Sequence, residues 1–300
     1  MNNKRGTDAS RDLDTALTES GLQNADVKLY GALASKINRV EVTSSIGADP
    51  VRIFTLSLQV FALRLFLKTA VKNKMPYGTF RRYAARGDIA GILGTSEIES
   101  AISEHYFSNV SVEIADQMRA QRDQRDESLE RVPCGDGCWF CCATHRMIDA
   151  TPADAERIWE AMLASNVPGH KHPNACPALG IDGRCRAYSV RPHTCRQRLS
   201  TSKEACRVDL EQGIGSSEEH VIHLGSPFDA NQLAALLAVC VGAKEPFVNL
   251  LTTLRSLRSG ASMSDAISKG RRSFKHFDPS SQPKGRIVQP VDLKLPDSAG

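Results

Sequence analysis

The sequence predicts a mainly α protein, in which a helical N-terminal region is followed by an irregular, metal-stapled cysteine-cluster domain with flanking helices. Three observations predict it. Apolar residues recur at helical spacing in several segments. Neither an internal repeat nor an alternation of strands with helices is present. Eight of the nine cysteines lie between Cys134 and Cys206, the same stretch that lacks hydrophobic periodicity. With 300 residues, 41% of them hydrophobic, the chain is long enough to bury one large core or two modest ones. The pattern divides it into a disordered start (1–10), a helical region (11–131), a cysteine-cluster metal-binding domain (132–210), a helical C-terminal region (211–270) and a basic disordered tail (271–300).

Residues 12–21 (DLDTALTESG) and 25–40 (ADVKLYGALASKINRV) have the composition of short helices, punctuated by Gly21 and by the VTSSIGADP stretch. The longest helix is expected over 49–74. Asp49 or a neighbour can cap it, and Pro50, which has no N–H to lose, suits the first helical position. This is also the most apolar run, but Arg52, Gln59, Arg64 and Lys68 interrupt it too often for a lipid-buried span. It reads as a core helix, with an interfacial membrane helix as the alternative. A second long helix is expected over 96–130, where Ile102, Tyr106, Val110, Ile114 and Met118 recur at four-residue steps. Its charged end, QRDQRDESLER, places Arg122 and Asp126, and Glu127 and Arg131, one turn apart. Pro133 stops it, because the residue before a proline is pushed out of the helical region.

Beyond the first cysteines, TPADAERIWEAMLASNV is a clear helix. Thr151 caps, Pro152 fits the first turn, Asp154 completes a capping box, and Ala155, Ile158, Trp159, Met162 and Leu163 form the apolar face. Residues 166–206 carry Pro168, Pro173, Pro177 and Pro192 and almost no periodicity, so something other than a hydrophobic core must order them. A last helical region begins near Asp229 and runs through QLAALLAVCVGA. Net charge is +4, and the last fifty residues alone hold nine Lys or Arg against four Asp or Glu. The basic character belongs to the tail, which reads as a solvated extension before it reads as an arm for nucleic acid or anionic lipid.

The start of the chain holds no apolar leader, so a cytoplasmic, reducing setting is expected, with no membrane span and no nucleic-acid partner. There thiols bind metal rather than pair as disulfides. Cys240, in AALLAVCVG, reads as a small core hydrophobe. CGDGCWFCC puts Cys134, Cys138, Cys141 and Cys142 into nine positions, and Gly135 and Gly137 permit the backbone angles that turn several thiolates toward one centre. Such clusters suit Zn²⁺ or iron and sulfide. The candidate ligands are Cys134, Cys138, Cys141, Cys142, Cys176, Cys185 and Cys195, although adjacent Cys141 and Cys142 need not both face one ion. The favoured arrangement is one site of Cys134, Cys138, Cys141 and a distal cysteine such as Cys195. Cys142, Cys176 and Cys185 would complete it in another combination or form a second site.

Two resemblances attach to these residues. The run Cys134-x3-Cys138-Trp139-Phe140-Cys141 resembles the cluster-binding motif of radical S-adenosylmethionine enzymes, but it lacks that family's preceding strand and following βα units. The other covers more of the chain. CGDGCWFCC, then a helix, then Cys176, Pro177 and Leu179, then Cys185, Tyr188, Arg191, Pro192, Cys195 and Arg196, resembles the YkgJ-type cysteine-cluster family. The resemblance implies a zinc- or iron-chelating, or iron-sulfur cluster-binding, domain. It transfers no reaction and leaves the part of Cys206 open.

Arg184, Arg186, Arg191, Arg196 and Arg198 stand among the later cysteines, where they can offset thiolate charge or simply lie solvated on the surface. Tyr188 packs or donates to sulfur. His145, His170, His172 and His193 are substitute ligands that eight cysteines make unnecessary. An iron-sulfur cluster, [4Fe-4S], is favoured over Zn, because the cysteines outnumber what one structural zinc uses.

Two functions follow. One is a redox or modifying protein whose cluster acts on a small-molecule or protein partner; the other is a non-catalytic zinc module that mediates protein interaction. Whether the chain is an enzyme stays open at this point.

Overall fold

A computed structural model describes residues 6–42, 50–92, 137–145, 147–192, 194–195, 198–200, 202–212, 221–224, 230–243, 247–275 and 286–288. It is mostly helical, as the sequence predicts. In chain order the elements are α1 (Gly6–Glu19), α2 (Asn24–Val42), α3 (Pro50–Lys72), α4 (Tyr77–Ala85), α5 (Ile89–Ile92), α6 (Phe140–Thr144), β1 (Asp149–Ala150), α7 (Pro152–Ala164), a 3-10 turn (Tyr188–Val190), β2 (Arg198–Ser200), α8 (Lys203–Gln212), β3 (Val221–Leu224), α9 (Ala230–Cys240), β4 (Val248–Asn249), α10 (Leu250–Arg258), α11 (Met263–Lys275) and β5 (Arg286–Val288). The long helix expected over 96–130 lies outside the described residues. Among the described residues no helix is long and apolar enough to cross a membrane.

Two compact units divide the chain. One comprises Met1–Val110 with Pro227–Pro246, the other Ser111–Ser226 with Phe247–Gly300. In the first, α3 packs against α1 and α2, and α9 against α2, α3 and α4. The apolar run that forms α3 buries Val60, Leu63, Phe66, Leu67 and Val71, so it is a core helix. Pro50 stands at its first position as expected. Lys74, at φ 54°, ends the turn after it in a left-handed conformation.

α4 and α5 have no counterpart in the sequence reading, because their order comes from distant residues. Tyr30 of α2 is fully buried with its ring edge-on to Tyr77 (5.1 Å) and Phe80 (5.5 Å), and its hydroxyl donates to the Met75 carbonyl at 3.0 Å. The Tyr77 N–H donates to Asp26 Oδ1 at 3.1 Å, which fixes the start of α4. Cys240 closes α9 as a buried side chain, in keeping with a core hydrophobe, and burial pushes its thiol up.

The second unit carries the cysteines. α7 starts as its sequence dictates. The Asp154 N–H donates to Thr151 Oγ1 at 3.1 Å and the Thr151 N–H to Asp154 Oδ2 at 3.1 Å, a complete capping box, with Pro152 at the first position. Thr151→Ala should lower stability by about 1 kcal/mol, measured as a shift in the urea midpoint.

α7 places Ala155, Ile158 and Met162 in one core with Ile148 and Ala150, with Cys176, Ala178 and Ala187 of the proline-rich loops, and with Val248, Leu250, Leu251, Leu254, Leu257 and Ala266. This corrects the expectation that no hydrophobic core orders residues 166–206. The loops lack periodicity because they contribute single small residues, while α7, α10 and α11 supply the bulk.

The antiparallel pair β1 and β4, with Asp149 opposite Asn249 and Ala150 opposite Val248, ties the two ends of this unit together. β2, β3 and β5 form a small mixed sheet in which β2 and β3 run antiparallel and β3 and β5 parallel. Strand β5 and the end of α11 fall within the stretch that composition alone reads as a disordered tail.

α11 crosses α10 and β4 at Gly270. A Cβ there would collide with Thr253 Oγ1 and meet Val248 Cβ at 3.2 Å. Gly270→Ala should therefore cost about 1–3 kcal/mol despite alanine's better helix propensity, read from the thermal midpoint.

Candidate metal centre

The cysteines reach their places by local backbone order. Cys141 and Cys142 stand in α6, a single helical turn that follows Trp139. The Cys176 N–H donates to the Cys142 carbonyl at 2.7 Å, which joins the Cys176-Pro177 turn to α6. The Leu179 N–H closes that turn onto the Cys176 carbonyl at 2.9 Å. Leu179 then bridges antiparallel to Cys185, and the Tyr188 N–H donates to the Cys185 carbonyl at 3.2 Å. The Cys195 N–H donates to the Pro192 carbonyl at 3.0 Å, and Thr194 Oγ1 donates to the Asp149 carbonyl at 3.2 Å, which pins this segment to β1.

Gly183 is required where it stands. At φ +78° it takes a left-handed turn, and a Cβ would lie 3.0 Å from Trp139 Cδ1.

The result is a group of five thiols drawn from three separate stretches. Cys142 feels the charge of Cys141, Cys176 and Cys195; Cys176 that of Cys141 and Cys185; and Cys195 that of Cys141, Cys176 and Cys185. Cys141 and Cys142 also hydrogen-bond to each other through their side chains. Among the described residues no two cysteines are joined in a disulfide.

Nor, among the described residues, do three His, Cys, Asp or Glu side chains converge as a finished ion site. The thiols are neighbours rather than a closed shell. Cys138, partly exposed, stands three residues ahead of Cys141. Cys134, His193 and Arg196 lie outside the described residues. Cys206 is buried in α8, a helix packed against α6.

Burial pushes the Cys176 thiol up to about 12 and the Cys195 thiol well above its usual range. Cys142 is held up first by its bond to Cys141 and then by burial. Opposing this, the Ala178 N–H donates to the Cys176 sulfur, Arg255 lies near Cys176, and Arg191 lies near Cys195. Left alone, such thiols stay protonated. A soft cation takes the place of the protons and reverses that preference. The donor set therefore fits a thiophilic metal: all sulfur, with a backbone N–H already aimed at one sulfur and guanidinium groups at hand to offset charge.

Of the arginines named from sequence, Arg186 and Arg191 are near the thiols, whereas Arg184 is exposed and the Arg198 side chain lies outside the described residues. Arg255 was not legible in sequence, because it arrives on α10, far along the chain. Tyr188 does not pack inward. It is 41% exposed, with the Arg191 guanidinium 3.5 Å above its ring.

His170 and His172 are poorly suited as ligands. Nδ1 of His170 accepts from the His172 N–H at 3.1 Å, and Nδ1 of His172 from the Asn174 N–H at 3.3 Å. The ring proton then sits on Nε2, which leaves no lone pair for a metal. Trp139 packs against both rings, at 4.4 and 6.1 Å.

Residues 133–212 match the family model described as "CxxCxxCC: Putative zinc- or iron-chelating domain". This segment is similar to that family of domains. The chelating domain begins here as Cys134-x3-Cys138-x2-Cys141-Cys142, one residue longer in its first spacer than the pattern in the family's description. Its ends bracket all five clustered thiols and α8 with Cys206. No curated protein and no solved structure matches the chain.

Proposed function

We propose that the chelating domain holds an iron-sulfur cluster on thiolates, with Cys176 and Cys195 as two of its ligands and the others drawn from Cys141, Cys142, Cys185, Cys138 and Cys134. The observation that carries this reading is a neighbourhood of five thiols that act on one another electrostatically, with the Cys176 turn bonded to α6 at Cys142. Seven candidate sulfurs exceed the four that one [4Fe-4S] cluster or one tetrahedral zinc takes, which leaves sulfur for a second site.

When bound, such a cluster supplies one-electron transfer or a Lewis-acidic iron. The chain's own residues do the rest. The Ala178 N–H withdraws charge from the Cys176 sulfur, while Arg255 and Arg191 balance the negative charge that collects as thiols become thiolates. The core of α7 and α10 keeps water from the Cys176 side.

On this reading the protein is a redox or modifying protein that acts on a small-molecule or protein partner. Anaerobic purification followed by iron, acid-labile sulfide and zinc analysis tests it. Brown protein with iron and sulfide in equal amounts is expected; colourless protein with one zinc would replace it with a structural zinc module.

A further inference from the structure

Beside Gly169, in the chelating domain, two guanidinium groups approach one another with no carboxylate between them among the described residues. A side-chain carbon on Gly169 would lie 3.7 Å from Arg186 Nη2 and 3.8 Å from both Nη1 and Nη2 of Arg258. Both arginines therefore border a notch that exists because residue 169 has no side chain. Its floor is ordered, since Gly169 bridges antiparallel to Gly180 and the His170 N–H donates to the Leu179 carbonyl at 2.9 Å.

Arg186 is held in place. Its Nη1 donates to the Val167 carbonyl at 3.3 Å and its Nη2 to the Pro177 carbonyl, yet its Nε is buried without a hydrogen-bond partner. Arg258, exposed in the last turn of α10, acts on Arg186 as a like charge. Ion pairs stand at Arg157 with Asp154 and at Arg207 with Glu204 and Glu211. Arg186, held by two backbone carbonyls, and exposed Arg258 both border the space over Gly169, an arrangement that receives an oxyanion, because one anion accepting from both guanidiniums removes their repulsion.

We infer that the Gly169 notch is an oxyanion site, in which Arg186 and Arg258 together bind the carboxylate or phosphate group of a small molecule. Because Arg186 also lies near Cys176 and Cys185, an anion held there sits beside the thiol cluster, where a substrate of the proposed metal centre would be positioned. The site itself does not depend on which metal the thiols hold.

Full-length protein titrated with inorganic phosphate and, separately, with malonate tests this, at constant ionic strength set with chloride. Binding is read by calorimetry, with metal content measured on the same samples. At least one of the two anions should saturate a single site. Arg258→Gln should weaken it by about tenfold or more, the order expected for a lost charge-assisted hydrogen bond.

Gly169→Ala should weaken it similarly while the protein stays folded, since the added methyl makes only ordinary contacts. Arg184→Gln removes the same charge from an exposed arginine in the same domain and should leave the affinity within about twofold. Preference for phosphate over malonate assigns a phosphate group, and the reverse a carboxylate. Two results overturn the inference: neither anion saturates, or Arg258→Gln and Arg184→Gln lose affinity equally. Either result leaves the metal content, and with it the proposed cluster, untouched.

Discussion

Cys176→Ser and Cys195→Ser should each lower bound metal to below about a tenth of the wild-type content, the scale on which a metal site responds to losing a contact that holds it. Cys138→Ser should keep most of it. The ordering follows from position. Cys176 is buried in the apolar core and Cys195 packs against it, whereas Cys138 stands partly exposed ahead of α6. Since Cys176 also belongs to the apolar core, Cys176→Ala is the needed partner variant. It removes the sulfur without burying a hydroxyl, so metal retained in Cys176→Ala but lost in Cys176→Ser would mean that the sulfur is not a ligand. Iron, sulfide and zinc per chain, measured on protein of matched helicity, decide it.

Removing the metal should then loosen the domain in a graded way. Metal binding to a thiolate site carries free energy of order 10 kcal/mol, and in a small domain that energy is folding energy. Amide exchange should accelerate most in the turns around Cys176, Cys185 and Cys195, which the thiols share, and less in α7 and α10, whose apolar residues hold a core of their own. The helices α2, α3 and α4, ordered by Tyr30, Phe66 and Phe80, should exchange at the same rate with and without metal. Equal protection throughout the chelating domain, with and without metal, would show that its core alone orders it.

What the sequence revealed and what it hid divide along a physical line. The capping box at Thr151 and Asp154, Pro50 at the first position of α3 and the burial of Ala155, Ile158 and Met162 on α7 are local signals, written within a few residues, and all stand in the structure, whereas Leu163, expected on the same apolar face, is 67% exposed at the end of the helix. The cysteine segment was legible as a chelating domain from its motif order. How its later cysteines reach the first ones was not.

Spacing favoured Cys134, Cys138 and Cys141, because near neighbours in sequence are easy to imagine round one ion. The fold brings Cys176 to α6 through the 2.7 Å bond from Cys176 to Cys142, and Cys185 to the Cys176 turn through the bridge from Leu179. Contacts of that range leave no periodic trace. The same holds for Arg255 and Arg258, brought in by α10, and for β1 and β4, strands of two residues that are too short to show an alternation.

The core shared by the loops and the C-terminal helices is likewise invisible in sequence, since Cys176, Ala178 and Ala187 are isolated small residues until α10 covers them.

The most direct test of the central claim is metal and sulfide analysis of protein purified without exposure to oxygen or chelator. Iron and acid-labile sulfide bound in similar amounts, and lost together in Cys195→Ser, is the predicted result. Reduced protein that carries neither iron nor zinc, yet shows full exchange protection from residue 138 to residue 200, would contradict it.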